Sequence, residues 1–136
     1  MPTKPEFINL DLDISSTKDL APLAKFLNET AYLLSHETVE ETDHITVEAT
    51  LGNERLTPHE SVEKMLALID SLPEPLAGLF TEADQRVFDF GFDGGYDSSP
   101  FRGELSPDLL KRIVELHISL RFTVYSHHPD EHTDDA

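Results

Sequence analysis

The chain has 136 residues, 38% of them hydrophobic and 27% charged, so its length and composition are those of one globular domain with a single core. Its 27 acidic residues outnumber the 10 basic ones and give a formal net charge of −17, which disfavours direct binding to nucleic acid or to anionic membranes. The lack of cysteine excludes disulfides and cysteine-ligated metal centres, and no signal-like N-terminus or membrane-length apolar run is present. We therefore expect a cytoplasmic protein without a cofactor.

Strict alternation of apolar and polar residues predicts the first strand, from Phe7 to Ile14. Its buried side is expected to carry Ile8, Leu10, Leu12 and Ile14, and its other side Asn9, Asp11 and Asp13. A short helix follows. Because Pro22 is tolerated only in a first helical turn, the N-cap is predicted near Asp19.

Residues 31–51 predict two strands joined by a charged turn at Glu40–Asp43. In the second strand Ile45, Val47 and Ala49 alternate with His44, Thr46 and Glu48. The next helix opens with the capping sequence Thr57–Glu60, with proline at the first helical position. Pro73 and Pro75 end it, and residues 76–80 are expected to form a short helical or irregular cover.

Alternation returns at residues 86–92, where it predicts a strand with Phe88, Phe90 and Phe92 inward and Asp89 and Gly91 outward. A loop dense in turn residues follows at 93–100, and Ser106 then precedes a proline as the cap of another helix. The last strand spans about 118–125. It is predicted to point Ile118, Leu120, Phe122 and Val124 inward and Ser119, Arg121, Thr123 and Tyr125 outward.

The resulting order, β-α-β-β-α-β-α-β, predicts a two-layer α+β domain over residues 1–126. Its sheet should be mixed but mostly antiparallel, with about five strands and the helices on one face. Residues 127–136 show no apolar periodicity and are expected to form a flexible acidic tail that contains histidines.

If the predicted strands are neighbours, their outward residues form a polar, mostly acidic face on which a basic protein could lie. Exposed aromatic and Arg side chains are the usual anchors of such contacts. The candidate partner-binding residues are Asp11, Asp13, Glu48, Asp89, Tyr96, Phe101, Arg121 and Tyr125. The alternative is a sheet face that is only solvated, with acidity that serves solubility alone.

Catalytic and metal sites have weaker support. Asp11 and Asp13 lie two apart on one strand, which permits an acid–base pair or a metal site, but the spacing is common. The loop at 93–97 lacks calcium-loop spacing, and no GxSxG sequence presents a nucleophilic serine. The tail histidines His127, His128 and His132 could hold zinc or nickel adventitiously. We predict no catalytic residues and no functional metal.

Three C-terminal segments together resemble a small acidic bacterial domain family of unknown function. They are Val87–Asp93, Glu104–Leu116 and Ile118–Tyr125, and members of the family end in a similar strand, Ser-Pro-capped helix and final strand. In size, charge and α+β style the chain is also similar to immunity proteins of polymorphic toxin and contact-dependent inhibition systems. That resemblance implies an antitoxin that binds and neutralises a basic toxin such as a nuclease.

Two other functions stay open. One is a metal-assisted hydrolase that uses Asp11, Asp13 or the glycine-rich loop. The other is an accessory protein that self-associates through an exposed strand edge.

Overall fold

Within residues 4–50, 55–96 and 99–126, which the computed structural model describes, the chain forms five strands and four helices. The strands are β1 (Glu6–Ser16), β2 (Tyr32–Val39), β3 (Thr42–Glu48), β4 (Gln85–Asp93) and β5 (Ser119–Tyr125). The helices are α1 (Ala21–Thr30), α2 (Pro58–Asp70), α3 (Leu76–Thr81) and α4 (Pro107–Glu115). The predicted α+β class is confirmed, and the segment predicted as a helical or irregular cover is helix α3. The predicted tail lies outside the described residues.

The strands form one sheet in the order β2-β3-β1-β4-β5. All neighbouring strands are antiparallel except β4 and β5, which are parallel and are joined through α4. The N-terminal strand therefore lies at the centre, where Leu12 is opposite Val47 of β3 on one side and Phe88 of β4 on the other. The sheet is mixed and mostly antiparallel, as predicted.

A single hydrophobic core lies between one face of the sheet and the helices. Its fully buried side chains include Phe80 of α3 and Phe88 and Phe90 of β4. Burial of a side chain of this size stabilises a fold by roughly 1.5–3 kcal/mol relative to exposure. Because all the described helices contribute to this core, the opposite face of the sheet carries no described helix. No helix in the described ranges is long and apolar enough to cross a membrane.

Two helix starts follow their predicted caps. The Thr57 hydroxyl accepts a hydrogen bond from the Glu60 backbone N–H at 3.1 Å, and the Glu60 carboxylate accepts one from the Thr57 N–H at 2.9 Å. This reciprocal pair satisfies two N–H groups that the helix itself leaves unpaired. Ser106 caps α4 by accepting from the Leu109 N–H at 3.2 Å. Both helices therefore begin where their local sequence directs.

The start of α1 lies one residue from Asp19, near which its N-cap was predicted. Leu20, not Asp19, is the N-cap residue. The Asp19 carboxylate accepts from the Ala21 N–H at 2.9 Å, but the Leu20 N–H donates to Asp43 of β3 at 2.8 Å. The carboxylate that binds the Leu20 N–H comes from a strand that follows the helix, so the residues around the helix start did not reveal it.

The start of β1 also departs from the predicted pattern. Ile8, expected in the core, is 41% exposed because the pairing of β1 with β4 shifts between Phe7 and Asn9. Such a bulge adds one residue and exchanges the faces of the residues before it. Phe7 therefore packs inward, with its ring centroid 6.4 Å from that of Phe90 and 5.6 Å from that of Phe92.

The inward side of β5 is only partly covered. Phe122 and Val124, both predicted to be buried, are 62% and 65% exposed. Phe122 lies on the helix side, since its ring stacks on Phe90 with centroids 5.3 Å apart. Alternation correctly indicates the face of a strand residue, but it does not show whether another element covers that face. At an edge strand such as β5, a side chain can lie on the core face of the sheet and still be exposed.

Arg86 is a buried cation at the start of β4. Its guanidinium donates to the carbonyl oxygens of Phe80, Thr81 and Ala83 at the end of α3, and to that of Leu116 at the end of α4. Helix C-termini leave carbonyl groups unpaired and carry partial negative charge. Arg86 thus fastens two helices to the sheet.

Candidate functional site

The face of the sheet opposite the helices, called the open face below, collects polar side chains from four neighbouring strands. The strand order places β3, β1, β4 and β5 side by side. The residues that define the open face are Asn9, Asp11, Asp13, His44, Thr46, Glu48, Asp89, Arg121, Thr123 and Tyr125. The condition on which the predicted acidic face depended, that these strands are neighbours, is therefore met.

The pairing register arranges several of these residues in a row. Asp11 of β1 lies opposite Asp89 of β4, and Asp89 lies opposite Arg121 of β5. Glu48 of β3 forms a side-chain hydrogen bond with Asp11. The row Glu48, Asp11, Asp89, Arg121 crosses four strands, and like charges opposite one another on a sheet are destabilising. Such a row therefore needs specific local compensation.

Asp11 compensates by keeping its proton and by its hydrogen bond to Glu48. Burial raises the pKa of Asp11 to about 8, and the hydrogen bond to Glu48 and the charges of nearby acids add to the effect. Asp11 Oδ1 is buried and meets no hydrogen-bond partner within the described part of the chain, which also disfavours the charged form. Glu48, itself buried, accepts a hydrogen bond from Asn9 Nδ2 at 2.6 Å. At neutral pH the pair consequently carries less charge than its two carboxyl groups suggest.

Arg121 compensates the other end of the row. Its Nη1 lies 2.8 Å from Asp13 Oδ2 and 3.2 Å from Asp89 Oδ2, and these bonds raise the pKa of the guanidinium. The Thr46 and Thr123 hydroxyls donate to Asp13 and Asp89, each at 2.8 Å. Arg121 is therefore occupied by acids of its own chain, and its role on this face is to position them.

A glycine makes room for these side chains. A Cβ atom at Gly91 would lie 2.6 Å from Asn9 Oδ1 and 3.7 Å from the Tyr125 ring. Any larger residue would push Asn9 away and disturb its bond to Glu48. Tyr125, at the end of β5, is 57% exposed and free to present its ring outward.

A shallow depression of about 420 Å³ lies on the same face, between β2 and β5. Its lining includes Asp13, Ser15, Glu37, His44 and Arg121. Ser15 Oγ and His44 Nδ1 are 2.9 Å apart, a contact between residues far apart in sequence that local patterns could not indicate. A Ser–His pair needs oxyanion donors nearby to act as a nucleophile. In these paired inner strands the backbone N–H groups are engaged in the sheet.

The predicted partner-binding residues do not all meet. Those on the open face are Asp11, Asp13, Glu48, Asp89, Arg121 and Tyr125. Phe101 lies on the helix side, where its ring meets Phe92 edge-on with centroids 5.3 Å apart. Tyr96 follows β4 in the connection to α4 and is exposed. Phe101 therefore lies on the side of the sheet opposite the open face, and Tyr96 lies outside the paired strands.

The candidate metal sites in the sequence were the pair Asp11 and Asp13, the loop at 93–97 and the tail histidines. No group of three or more His, Cys, Asp or Glu side chains within residues 4–50, 55–96 and 99–126 could hold a metal ion. In the loop after β4, the Asp93 carboxylate accepts from the Gly95 N–H at 2.9 Å, which is the bond of an Asx turn. His127, His128 and His132 lie outside the described residues.

Comparison with known proteins found no relative of this chain. A scan against family models, a search of curated proteins and a search of solved structures each found no match.

Proposed function

We propose that this protein is an immunity protein that neutralises a cognate basic toxin by laying its open face on the toxin's cationic surface. The observation that carries the proposal is the row of Glu48, Asp11 and Asp89 across adjacent strands of a sheet face that no described helix covers. Small-molecule sites are concave and largely enclosed, whereas a partner protein can lie across an uncovered sheet.

The overall charge supports the same partner. A formal net charge of −17 attracts a cationic protein over long range and raises its association rate, while it repels polyanions. A nuclease has a cationic surface because it must bind a polyanion, so an acidic inhibitor competes directly for that surface. The proposal places both proteins in the cytoplasm, and a chain without cysteine is compatible with that reducing compartment.

The residues of the open face have different roles in the proposed contact. Asp13 and Asp89, held by Arg121, present carboxylates of fixed geometry to the partner. The proton on Asp11 leaves when a partner's Lys or Arg approaches, because a nearby cation lowers the pKa of a carboxyl group. Tyr125 supplies an aromatic anchor at the rim. Phe101 is not part of the proposed contact.

The experiment is affinity capture from the source cell's lysate with three baits of the full chain. The first bait is the natural chain, and the second carries Asp11→Asn, Asp13→Asn and Asp89→Asn on the open face. The third carries Glu29→Gln, Glu74→Gln and Glu115→Gln, which are exposed residues outside the sheet. The second and third baits have the same formal net charge. Because Asp11 keeps its proton at neutral pH, the second bait is the more negative of the two there, so weaker binding by the second bait reports the location of the charge and not its amount.

The expected result is one stoichiometric basic protein, retained by the first and third baits and lost from the second. Its binding should weaken steeply with salt, and its toxicity on expression should be suppressed by the natural chain. Equal retention by the second and third baits would refute the role of the open face. Capture of a protein whose expression is harmless would refute the immunity function.

One observation favours a second function, acid–base catalysis without a metal. A carboxyl group with its pKa near 8 beside another carboxylate is the usual arrangement of a general acid. The depression on the open face is lined by Asp13 and Ser15, however, and Asp11 is not among its described lining residues. Turnover of activated ester or glycoside substrates that disappears in Asp11→Asn would establish this function. If the natural chain and Asp11→Asn turn over these substrates at the same rate, acid–base catalysis by Asp11 is eliminated.

A further inference from the structure

The outer edge of β5 has neither a bulge nor an unpaired charge, the features that usually protect a sheet edge, since its one charged residue, Arg121, is bound to Asp13 and Asp89. No described strand pairs with it, and β5 follows β4 in unbroken register from Ser119 to Tyr125. The opposite edge strand, β2, has a bulge between Leu33 and Ser35 and carries Glu37. Bulges and charges keep edge strands from pairing with other chains. The β5 edge is therefore able to pair with a strand of another chain, whereas the bulge and charge of β2 oppose such pairing.

An apolar surface lies beside this edge on the helix side. Phe122 and Val124 project from β5, and a groove of about 430 Å³ continues between Phe122, Leu110 and Phe101. Apolar surface removed from water stabilises a contact by roughly 25 cal/mol per Å². A strand added at β5 would cover the two β5 side chains at once.

The charges of the strands indicate which partner fits. β5 contains no carboxylate, and its one charged residue is Arg121. The other strands include acids such as Asp11, Glu37, Glu48 and Asp89. For a second chain that also carries −17, β5 is the strand where repulsion is weakest. A cationic partner would instead be drawn to the open face.

We propose that two copies of this chain pair antiparallel through their β5 edges, about a two-fold axis at Phe122. This register is self-complementary, since it sets Leu120 opposite Val124 of the second copy and thus apolar against apolar on the helix side. On the other side it sets Arg121 opposite Thr123 of the second copy, whose hydroxyl bonds Asp89. The two open faces then join in one ten-stranded sheet. The proposal does not rest on the proposed function.

The size and charge of this interface set its expected behaviour. Two paired seven-residue strands bury less than the ~800 Å² per partner of a standard interface, so a dissociation constant in the micromolar range is expected. Salt screens the repulsion between the two acidic chains and should tighten the dimer. A complex with a cationic protein responds to salt in the opposite direction, which separates the two kinds of association.

Sedimentation velocity of the full chain tests the dimer, over about 5–500 µM protein and at about 0.05 and 0.5 M salt. The mass should rise from 15.3 kDa toward twice that value, and at lower protein concentrations in the higher salt. Phe122→Lys and Val124→Lys should each weaken association by about tenfold or more. Leu34→Lys, at an apolar position on β2 that is 50% exposed, should leave it unchanged.

Far-ultraviolet circular dichroism checks that each variant is folded. Phe122→Lys also removes the ring contact with Phe90, whereas Val124→Lys changes the same edge and keeps that contact. A monomer at every concentration would overturn the proposal, as would equal weakening by Leu34→Lys and Phe122→Lys. So would a dimer that tightens as salt is removed.

A single introduced cysteine tests the register. The chain has no cysteine, so Phe122→Cys provides the only thiol. Opposed residues of antiparallel strands have Cα atoms about 4.5–5.5 Å apart, within disulfide reach. Mild oxidation should link two copies of Phe122→Cys on a non-reducing gel and leave Leu34→Cys unlinked. A dimer in solution that Phe122→Cys does not cross-link would refute the axis at Phe122.

Discussion

Asp11 of β1 and Asp89 of β4 are direct cross-strand partners, yet their environments differ. Asp89 is bound by Arg121 and by the Thr123 hydroxyl, so it has donors for its charge. Asp11 has Glu48 as its neighbour and a buried oxygen without a donor in the described residues. Two carboxyl groups in one row are therefore stabilised in opposite ways, one by cations and donors and the other by a proton.

The raised pKa of Asp11 makes stability depend on pH. The folded protein holds this proton up to about pH 8, whereas the unfolded chain releases it near its ordinary value of 3.8. The contribution to stability is thus complete below about pH 4 and is lost as the pH rises through 8. Asp11→Asn should unfold at higher denaturant concentration than the natural chain at pH 9, and by a smaller margin at pH 5. Equal pH dependence of urea unfolding in the two proteins would contradict the raised pKa of Asp11.

Asp43 is buried and charged, the reverse of Asp11. Burial alone would raise its pKa, but hydrogen bonds from His36, the Leu20 N–H and Thr38 outweigh burial and lower it. Its stabilising effect is present above the ordinary pKa of 3.8 and disappears as the pH falls below it.

Asp43→Ala should therefore lower the free energy of unfolding at pH 7 by about 2–3 kcal/mol, because it leaves the buried Leu20 N–H and the other donors to Asp43 unpaired. Chemical denaturation measures this, and the difference from the natural chain should shrink at about pH 3. Asp19→Ala is the matched control, since Asp19 is exposed and bonds only the Ala21 N–H among the described contacts. Its cost should be about 0.5–1 kcal/mol. Equal costs for the two variants would show that Asp43 has no special role.

Local sequence was sufficient for most of the elements and insufficient for the contacts between them. The Thr57 capping box and the alternation of Phe88 and Phe90 are local signals, and the structure bears out both. The Leu20–Asp43 bond and the Asp11–Glu48 pair join residues brought together only by strand order and register. The residues next to a side chain in the sequence cannot specify these two contacts, because each strand could in principle pair with a different strand. The acidic character of the open face was therefore predictable, and the proton within it was not.

Arg86 illustrates the same limit in the core. Alternation places it on the side of Phe88, but its neighbours in the sequence do not indicate which groups accept hydrogen bonds from a buried cation there. Its burial lowers its pKa, and backbone carbonyls of two helix ends surround it. Arg86→Met keeps much of the side-chain volume but strips those carbonyls of their donors, and should cost about 2–4 kcal/mol in equilibrium unfolding. Arg112→Met is the control, because Arg112 forms a half-exposed pair with Asp70 worth under about 1 kcal/mol. Equal losses in the two variants would disprove the role of Arg86 in joining the helices.

His117 holds a backbone conformation that favours glycine. Its φ is 56°, and its N–H donates to the Val114 carbonyl at 2.9 Å while the next N–H, of Ile118, donates to Ile113 at 3.1 Å. These two bonds form the Schellman ending of α4, whose left-handed residue is most often glycine because a Cβ atom is strained there. His117→Gly should raise the free energy of unfolding by about 0.5–1 kcal/mol, less the entropy that glycine gains in the unfolded chain. His117→Ala keeps the Cβ atom and should give no increase. A thermal melt in which the glycine and alanine variants behave alike would mean that backbone strain at His117 does not limit the stability of this turn, which delivers the chain from α4 into β5.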